Sequence, residues 1–237
     1  MDIDKPLTDP TFGVNLELVR QCRDAGASTA EAKSIYMTSR KIAEDMVGND
    51  TLEDKIRQRC VVATGDPQFH KLLVFKNEAV RAGLAALQHG ATIFTDIRMV
   101  REGIQKQGHT SDVVCVLDGS GELAEREGIT RTSAGFLTYS CSLNSSIVVI
   151  GNAPSALITV CRLIDRGIRP ALVIATPVGF VNAAHSKQML REKSIPSITT
   201  EGTRGGTPVA VAAINEIIAL LSQEVISSEP ITQRPRK

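Results

Sequence analysis

Four short, β-branched apolar runs, over 91–95, 112–118, 146–151 and 170–175, limit what this chain can fold into. Each is too short for a stable helix and ends in small or polar residues, so each reads as a buried strand. Helical periodicity fills the chain around them, over about 132–143, 154–166, 181–193 and 207–222. Upstream it covers about 14–25, 30–47, 52–62 and 77–88, with Asn77 as the candidate cap of the last. Apolar runs without polar alternation belong to strands covered on both faces. The pattern therefore predicts an α/β fold, a mostly parallel sheet with helices on both faces. No internal repeat interrupts it. Residues 1–13 read as a loose leader, 14–223 as one domain and 224–237 as a frayed tail.

Composition narrows the function classes. Lys plus Arg number 27 and Asp plus Glu 26, a formal net charge of +1, which advertises neither nucleic acid nor an anionic membrane. Aromatics are 3% with no Trp, too few for a base-stacking platform. No apolar run approaches the roughly 20 residues of a membrane helix, and the acidic start MDIDK is not that of a signal peptide. Cysteines stand at 22, 60, 115, 141 and 161, an odd count without C-x-x-C spacing. That argues against a disulfide framework and a zinc finger and for a reduced, cytoplasmic setting; no metal site is expected.

In a parallel sheet the ligand sits at the carboxyl ends of the strands, which directs attention to the strand-to-helix junctions. Gly119-Ser120-Gly121-Glu122-Leu123-Ala124 matches G-x-G-x-x-A, the dinucleotide fingerprint, but no acidic residue follows between 128 and 164 to hold a ribose. A plain glycine turn is the alternative. At Gly151-Asn152-Ala153-Pro154, Gly151 frees the backbone, Pro154 suits a first helical turn and the helix start offers N–H groups to a carboxylate or phosphate. The same residues also make an ordinary tight turn.

Pro177-Val178-Gly179 repeats the logic, with Gly179 permitting close backbone approach and Asn182 starting a helix. On that helix His185 lies within reach of a cleft and Lys187 is expected in solvent. Arg204-Gly205-Gly206-Thr207-Pro208 places an arginine where it can clamp a carboxylate, with Thr207 as a cap and Pro208 opening the last helix, but it lacks P-loop order. Thr130-Arg131-Thr132-Ser133 sets an arginine among hydroxyls at another helix start, which is carboxylate chemistry or a simple cap. These residues reach as far as an α/β protein that binds a polyanionic small molecule.

Taken in order, 63–66, 95–100, 128–133, 150–156, 177–181 with Ala183, Ala184, Ser186 and Lys187, and 204–207 resemble the precorrin-8X methylmutase (precorrin isomerase) family. The similarity spans roughly 30–222. It implies a Rossmann-like fold, a homodimer with its site near the subunit interface, no organic cofactor, and a polycarboxylate tetrapyrrole as ligand. The implied reaction moves a methyl group from C11 to C12 of precorrin-8X, or of its cobalt-containing form, in cobalamin biosynthesis.

Under that resemblance, Arg131 and Arg204 pair ligand carboxylates, while Thr130 and Thr132 flank the first of them. Gly151, Asn152, Pro177, Gly179, Gly205 and Gly206 shape the ring site. Thr95 and Asp96 line the first strand end, and Thr64 and Ser39 approach the ring. The family's acid, a histidine in R-x-x-H-A-[TC]-G, falls at Val62 of Arg59-Cys60-Val61-Val62-Ala63-Thr64-Gly65. Valine carries no proton. Other departures are His185 for a family glutamate, Thr207-Pro208 for Ser-Ala, and Arg40 for an aromatic or Met. Three accounts follow: methyl transfer with His185 or His70 as substitute acid, tetrapyrrole binding without turnover, or another ligand altogether. A different class, an NAD(P)-dependent oxidoreductase, would use 119–124.

Overall fold

The computed structural model describes residues 29–228, and side chains as far as 223. The expected leader, the helix over 14–25 and the last residues of the tail lie outside them. Helices α1 (Ala30–Val47) and α2 (Leu52–Thr64) lead through a 3-10 turn, Pro67–Leu72, into β1 (Leu73–Lys76). Then follow α3 (Ala79–Gln88), β2 (Ile93–Thr95), α4 (Arg98–Gly103), β3 (Val113–Cys115), α5 (Gly121–Glu127) and α6 (Arg131–Thr138). After a second 3-10 turn, Ser140–Leu143, come β4 (Ile147–Ile150), α7 (Pro154–Asp165), β5 (Leu172–Ala175), α8 (Ala183–Arg191), β6 (Ser197–Thr200) and α9 (Thr207–Ser228).

The six strands form one sheet in the order β1-β6-β5-β4-β2-β3. Every pairing is parallel except β1 with β6. All four runs read from sequence form strands. Their continuity has the expected cause, since successive residues of β4 serve opposite cores. Ile147 and Val149 pack with α2, α3 and α9, whereas Val148 and Ile150 pack with α6 and α7, and none of the four has accessible surface. Burying each such side chain contributes roughly 1.5–3 kcal/mol. Among the described residues, no helix is long and apolar enough to cross a membrane.

Several local expectations change. β1 and β6 are strands that the apolar pattern did not reveal: Ser197-Ile198-Thr199-Thr200 is polar in composition, yet all four residues are buried. Asn77 does not cap α3. It adopts a left-handed conformation, and its amide donates to the carbonyl of Ile195 at 3.0 Å. The helix expected over 132–143 breaks after Thr138 into the 3-10 turn. The last helix already includes Thr207 and runs on to Ser228, past the 222 expected. The carbonyl of Gly206, not the hydroxyl of Thr207, leads into it by accepting from Val209 and Ala210.

Candidate functional site at the strand ends

The chain leaves β2 toward β3 on one side and continues from β4 toward β5 and β6 on the other. The strand order therefore reverses between β2 and β4, where a parallel sheet opens a crevice at its carboxyl edge. Thr95-Asp96 and Gly151-Asn152 meet there, but the crevice is filled from within. One Asp96 carboxylate oxygen accepts from Gly151 N at 3.2 Å, the other from Asn152 N at 2.8 Å and Ala153 N at 2.9 Å. The anion held at the start of α7 is thus the chain's own carboxylate. Burial pushes the Asp96 carboxyl above its ordinary range, while the three N–H groups pull it back. Thr95 is also fully buried, its hydroxyl donating to Val114 O at 3.3 Å. Gly151 is required by space: a Cβ there would stand 2.9 Å from Thr207 Cα. The side chain of Asn152 stays exposed beside the crevice.

One strand further along, β5 and β6 end in a more open cluster. Pro177 is buried, while Val178, Phe180 and Val181 stand exposed on the loop that follows. Gly179 is not needed for close approach, since nothing lies within 4 Å of a Cβ there; its φ of +140° is the reason for glycine. The loop after β6 does approach closely. Gly206 N donates to Thr176 O, and a Cβ on Gly205 would meet that same carbonyl at 2.2 Å. Arg204 pairs with Asp66 and lies 5.3 Å from the centroid of the Phe69 ring. This joins the loop to the turn that follows α2, the helix that carries Val62.

Beneath this loop lies Lys187, which the sequence placed in solvent. It has no accessible surface. Its ammonium donates to Thr200 Oγ1 at 2.9 Å and to Arg204 O at 2.8 Å, and no carboxylate among the described residues pairs with it. Burial, with a smaller contribution from Arg191, lowers its pKa to about 8. Helix α8 buries Ala183, Ser186, Lys187 and Leu190, a spacing of one helical face, so position along the helix rather than residue type decides the burial.

On the other side of the crevice, Thr130 caps α6 by accepting from Ser133 N. Its hydroxyl also lies 3.2 Å from Thr132 Oγ1 and 2.9 Å from Ser155 Oγ, which ties the starts of α6 and α7 together. Arg131 is exposed and, among the described residues, holds only a long bond of 3.5 Å to Leu117 O. A cavity of about 520 Å³ begins at Thr130 and runs between α6 and α7 past Arg162 and Arg166.

The remaining candidates are scattered by comparison. Val62 and Thr64 are half-buried on the last turn of α2, where the Thr64 hydroxyl donates to Cys60 O at 2.9 Å. His70 follows in the 3-10 turn, one ring nitrogen 2.6 Å from Pro67 O. His185 is exposed on the first turn of α8. Ser39 bonds Ile35 O within α1, which packs on α2. The glycine turn at 119–124 leads into α5 beside the edge strand β3. A Cβ on either Gly119 or Gly121 would meet nothing, so the close packing that a dinucleotide fingerprint demands of its glycines is absent there. No cluster of three metal-ligating side chains occurs among the described residues. Sequence reasoning overlooked Asp66 and Thr200 and misplaced Lys187. The one available signal was the helical spacing of Ala183, Ser186, Lys187 and Leu190.

A family model described as Precorrin-8X methylmutase matches residues 33–220. The chain is 40% identical over 212 residues to the cobalt-precorrin-8 methylmutase of Methanocaldococcus jannaschii, spanning 84% of this chain and 99% of that protein. It is 39% identical over 171 residues to the precorrin-8X methylmutase of Pseudomonas aeruginosa, spanning 69% and 82%. The crystal structure of precorrin-8x methyl mutase from Thermus thermophilus superposes with a TM-score of 0.75 at 34% identity, over 81% of this chain and 97% of that one.

Proposed function

The chain belongs to the precorrin-8X methylmutase family, and on that premise we propose that it isomerises a corrin precursor, moving a methyl group from C11 to C12 of precorrin-8X or its cobalt-containing form. The agreement over nearly the whole of a relative of that activity carries the reading. The chemistry at the strand ends supports it. A ring bearing many carboxylates needs several cationic partners on one edge, and Arg131 and Arg204 stand exposed there with Lys187 beneath. Arg131 is held by one long bond, and Arg204 pairs with a carboxylate that a ligand carboxylate replaces in kind. Asn152, Thr64, Val62 and the turns at Gly179 and Gly205-Gly206 form the ring's surroundings.

The proton that promotes the shift comes from His70. Its turn follows Val62 directly, and Asp66 and Phe69 of the same turn carry the contacts to Arg204. With Nδ1 donating to Pro67 O, Nε2 is left to take and give the proton. His185 is the second candidate, exposed two residues before Lys187 on α8. General acid help of this kind supplies roughly 10²–10⁴-fold. The exposed Val178, Phe180 and Val181 support a homodimer in which the partner covers this loop. The reduced thiols at 60, 115, 141 and 161 fit a cytoplasmic setting.

An absorption time course with precorrin-8X tests this, run on the native chain, His70→Ala, His185→Ala and Val62→His. Formation of hydrogenobyrinate by the native chain and its loss in His70→Ala support the reading. Binding without turnover, with activity gained in Val62→His, makes the chain a tetrapyrrole-binding relative instead.

A further inference from the structure

Lys187 is a buried cation that packing alone does not explain. Its ammonium has three hydrogens and two acceptors, Thr200 Oγ1 and Arg204 O. The two acceptors are also bonded to each other, the Thr200 hydroxyl donating to Arg204 O at 2.7 Å. A methionine would fill the same space without placing a charge in it. A buried charge with no counter-ion disfavours the folded state, so its presence points to an anion that arrives from outside. The loop above it, from Glu201 to Gly206, carries Arg204 and packs its glycines against the end of β5.

We propose that Lys187 is a positioning residue for ligand carboxylates: it acts through the Arg204 carbonyl and the Thr200 hydroxyl to set the 201–206 loop, and it holds beneath that loop a positive charge which the ligand's carboxylates neutralise. The proposal rests on the polycarboxylate reading above. It carries a pH signature, because the lowered pKa of about 8 lets the charge leave in mild alkali. The other charged groups on the elements that hold it are Arg191 and His185 on α8, and Arg204 and Glu201 on the loop, with Asp66 of the facing turn paired to Arg204.

The test is an absorption titration with hydrogenobyrinate, and separately with uroporphyrin as a plain polycarboxylate macrocycle, from pH 7 to 9.5. It is run on the native chain, Lys187→Gln and Lys187→Met, with ligand-free melting curves at pH 7. The native affinity should fall at least tenfold across the range. Both variants should bind at least tenfold more weakly at pH 7, with flat profiles and no drop in Tm. Equal affinities and equal pH profiles in native and variant chains would overturn the proposal. A large fall in Tm in both variants would do the same, by making Lys187 a structural residue. Lys187-dependent binding of uroporphyrin alone sinks the methylmutase reading and leaves this inference standing. Binding of neither macrocycle overturns both.

Discussion

The carboxylate of Asp96, at the end of β2, accepts the backbone N–H of Ala153 at 2.9 Å. With the bonds from Gly151 and Asn152, this one side chain closes the crevice between β2 and β4 and sets the entry angle of α7. A charge at a helix start and three satisfied donors are stabilising together. Asp96→Ala leaves three amides without a partner, two of them in buried residues. Each such donor costs roughly 1–3 kcal/mol, so the loss should reach about 3 kcal/mol or more. Urea unfolding measures it. A loss under about 1 kcal/mol would mean that water replaces the carboxylate and that Asp96 does not hold the helix.

Stability should respond to Lys187 in the sense opposite to most ion pairs. The unfolded chain titrates this lysine near 10.5 and the folded chain at about 8. Between those values the unfolded state binds more protons, so stability rises with pH. The gain is at most about 3.5 kcal/mol, because each tenfold change in the acidity of the ammonium is worth roughly 1.4 kcal/mol. Urea unfolding at pH 7.5 and pH 10 on the native chain and Lys187→Met reads the difference, since the other titrating groups are common to both. A parallel pH response in the two chains would show that the burial of Lys187 does not strain its charge.

The contrast between β4 and β6 shows how much of this was legible in the sequence. Ile147-Val148-Val149-Ile150 announces a strand because both its faces are apolar. Ser197-Ile198-Thr199-Thr200 does not, because three of its four side chains are polar, and two of them find tertiary partners: Lys187 bonds the Thr200 hydroxyl and Arg191 the Thr199 hydroxyl, while the Ser197 hydroxyl is buried without one. The same partnership hid Lys187, whose residue type argues for solvent while its position on α8 argues for the core. The arginines and glycines at the helix starts were visible, since turn chemistry is local. What fills a helix start is not local, and only the fold brings Asp96 to Gly151 across 55 residues.

Glu216 on α9 should be among the most sensitive buried charges in the chain. It lies 2.6 Å from Arg40 of α1 and 3.2 Å from Arg59 of α2, with its side chain 5% exposed. Glu216→Gln leaves two guanidinium groups facing a neutral amide, and breaking a buried pair this way costs roughly 3–5 kcal/mol. Arg40→Met keeps the Arg59 partner and should cost far less. A thermal melt of both variants decides. Equal losses would mean that Arg40 carries the pairing, not Arg59.

Arg131 and Arg204 are the proposed partners of the ligand carboxylates, and their present partners differ. Arg131 has little to lose, so Arg131→Ala should leave Tm unchanged. Ligand affinity should fall by about 2 kcal/mol or more, the lower end for truncating one side of a desolvated charged pair and close to 30-fold in Kd. Arg204 is engaged by Asp66, with side chains 52% and 27% exposed. A half-exposed pair contributes only about 0–1 kcal/mol, so a ligand carboxylate can displace Asp66 at little cost. Asp66→Asn removes that competitor. It should tighten hydrogenobyrinate binding a few-fold at low salt while changing stability by less than about 1 kcal/mol. Titration of the single variants and of Asp66→Asn/Arg204→Ala separates the two effects. If Asp66→Asn weakens binding instead, the ion pair is part of the bound arrangement, and Arg204 meets the ligand with Asp66 still attached.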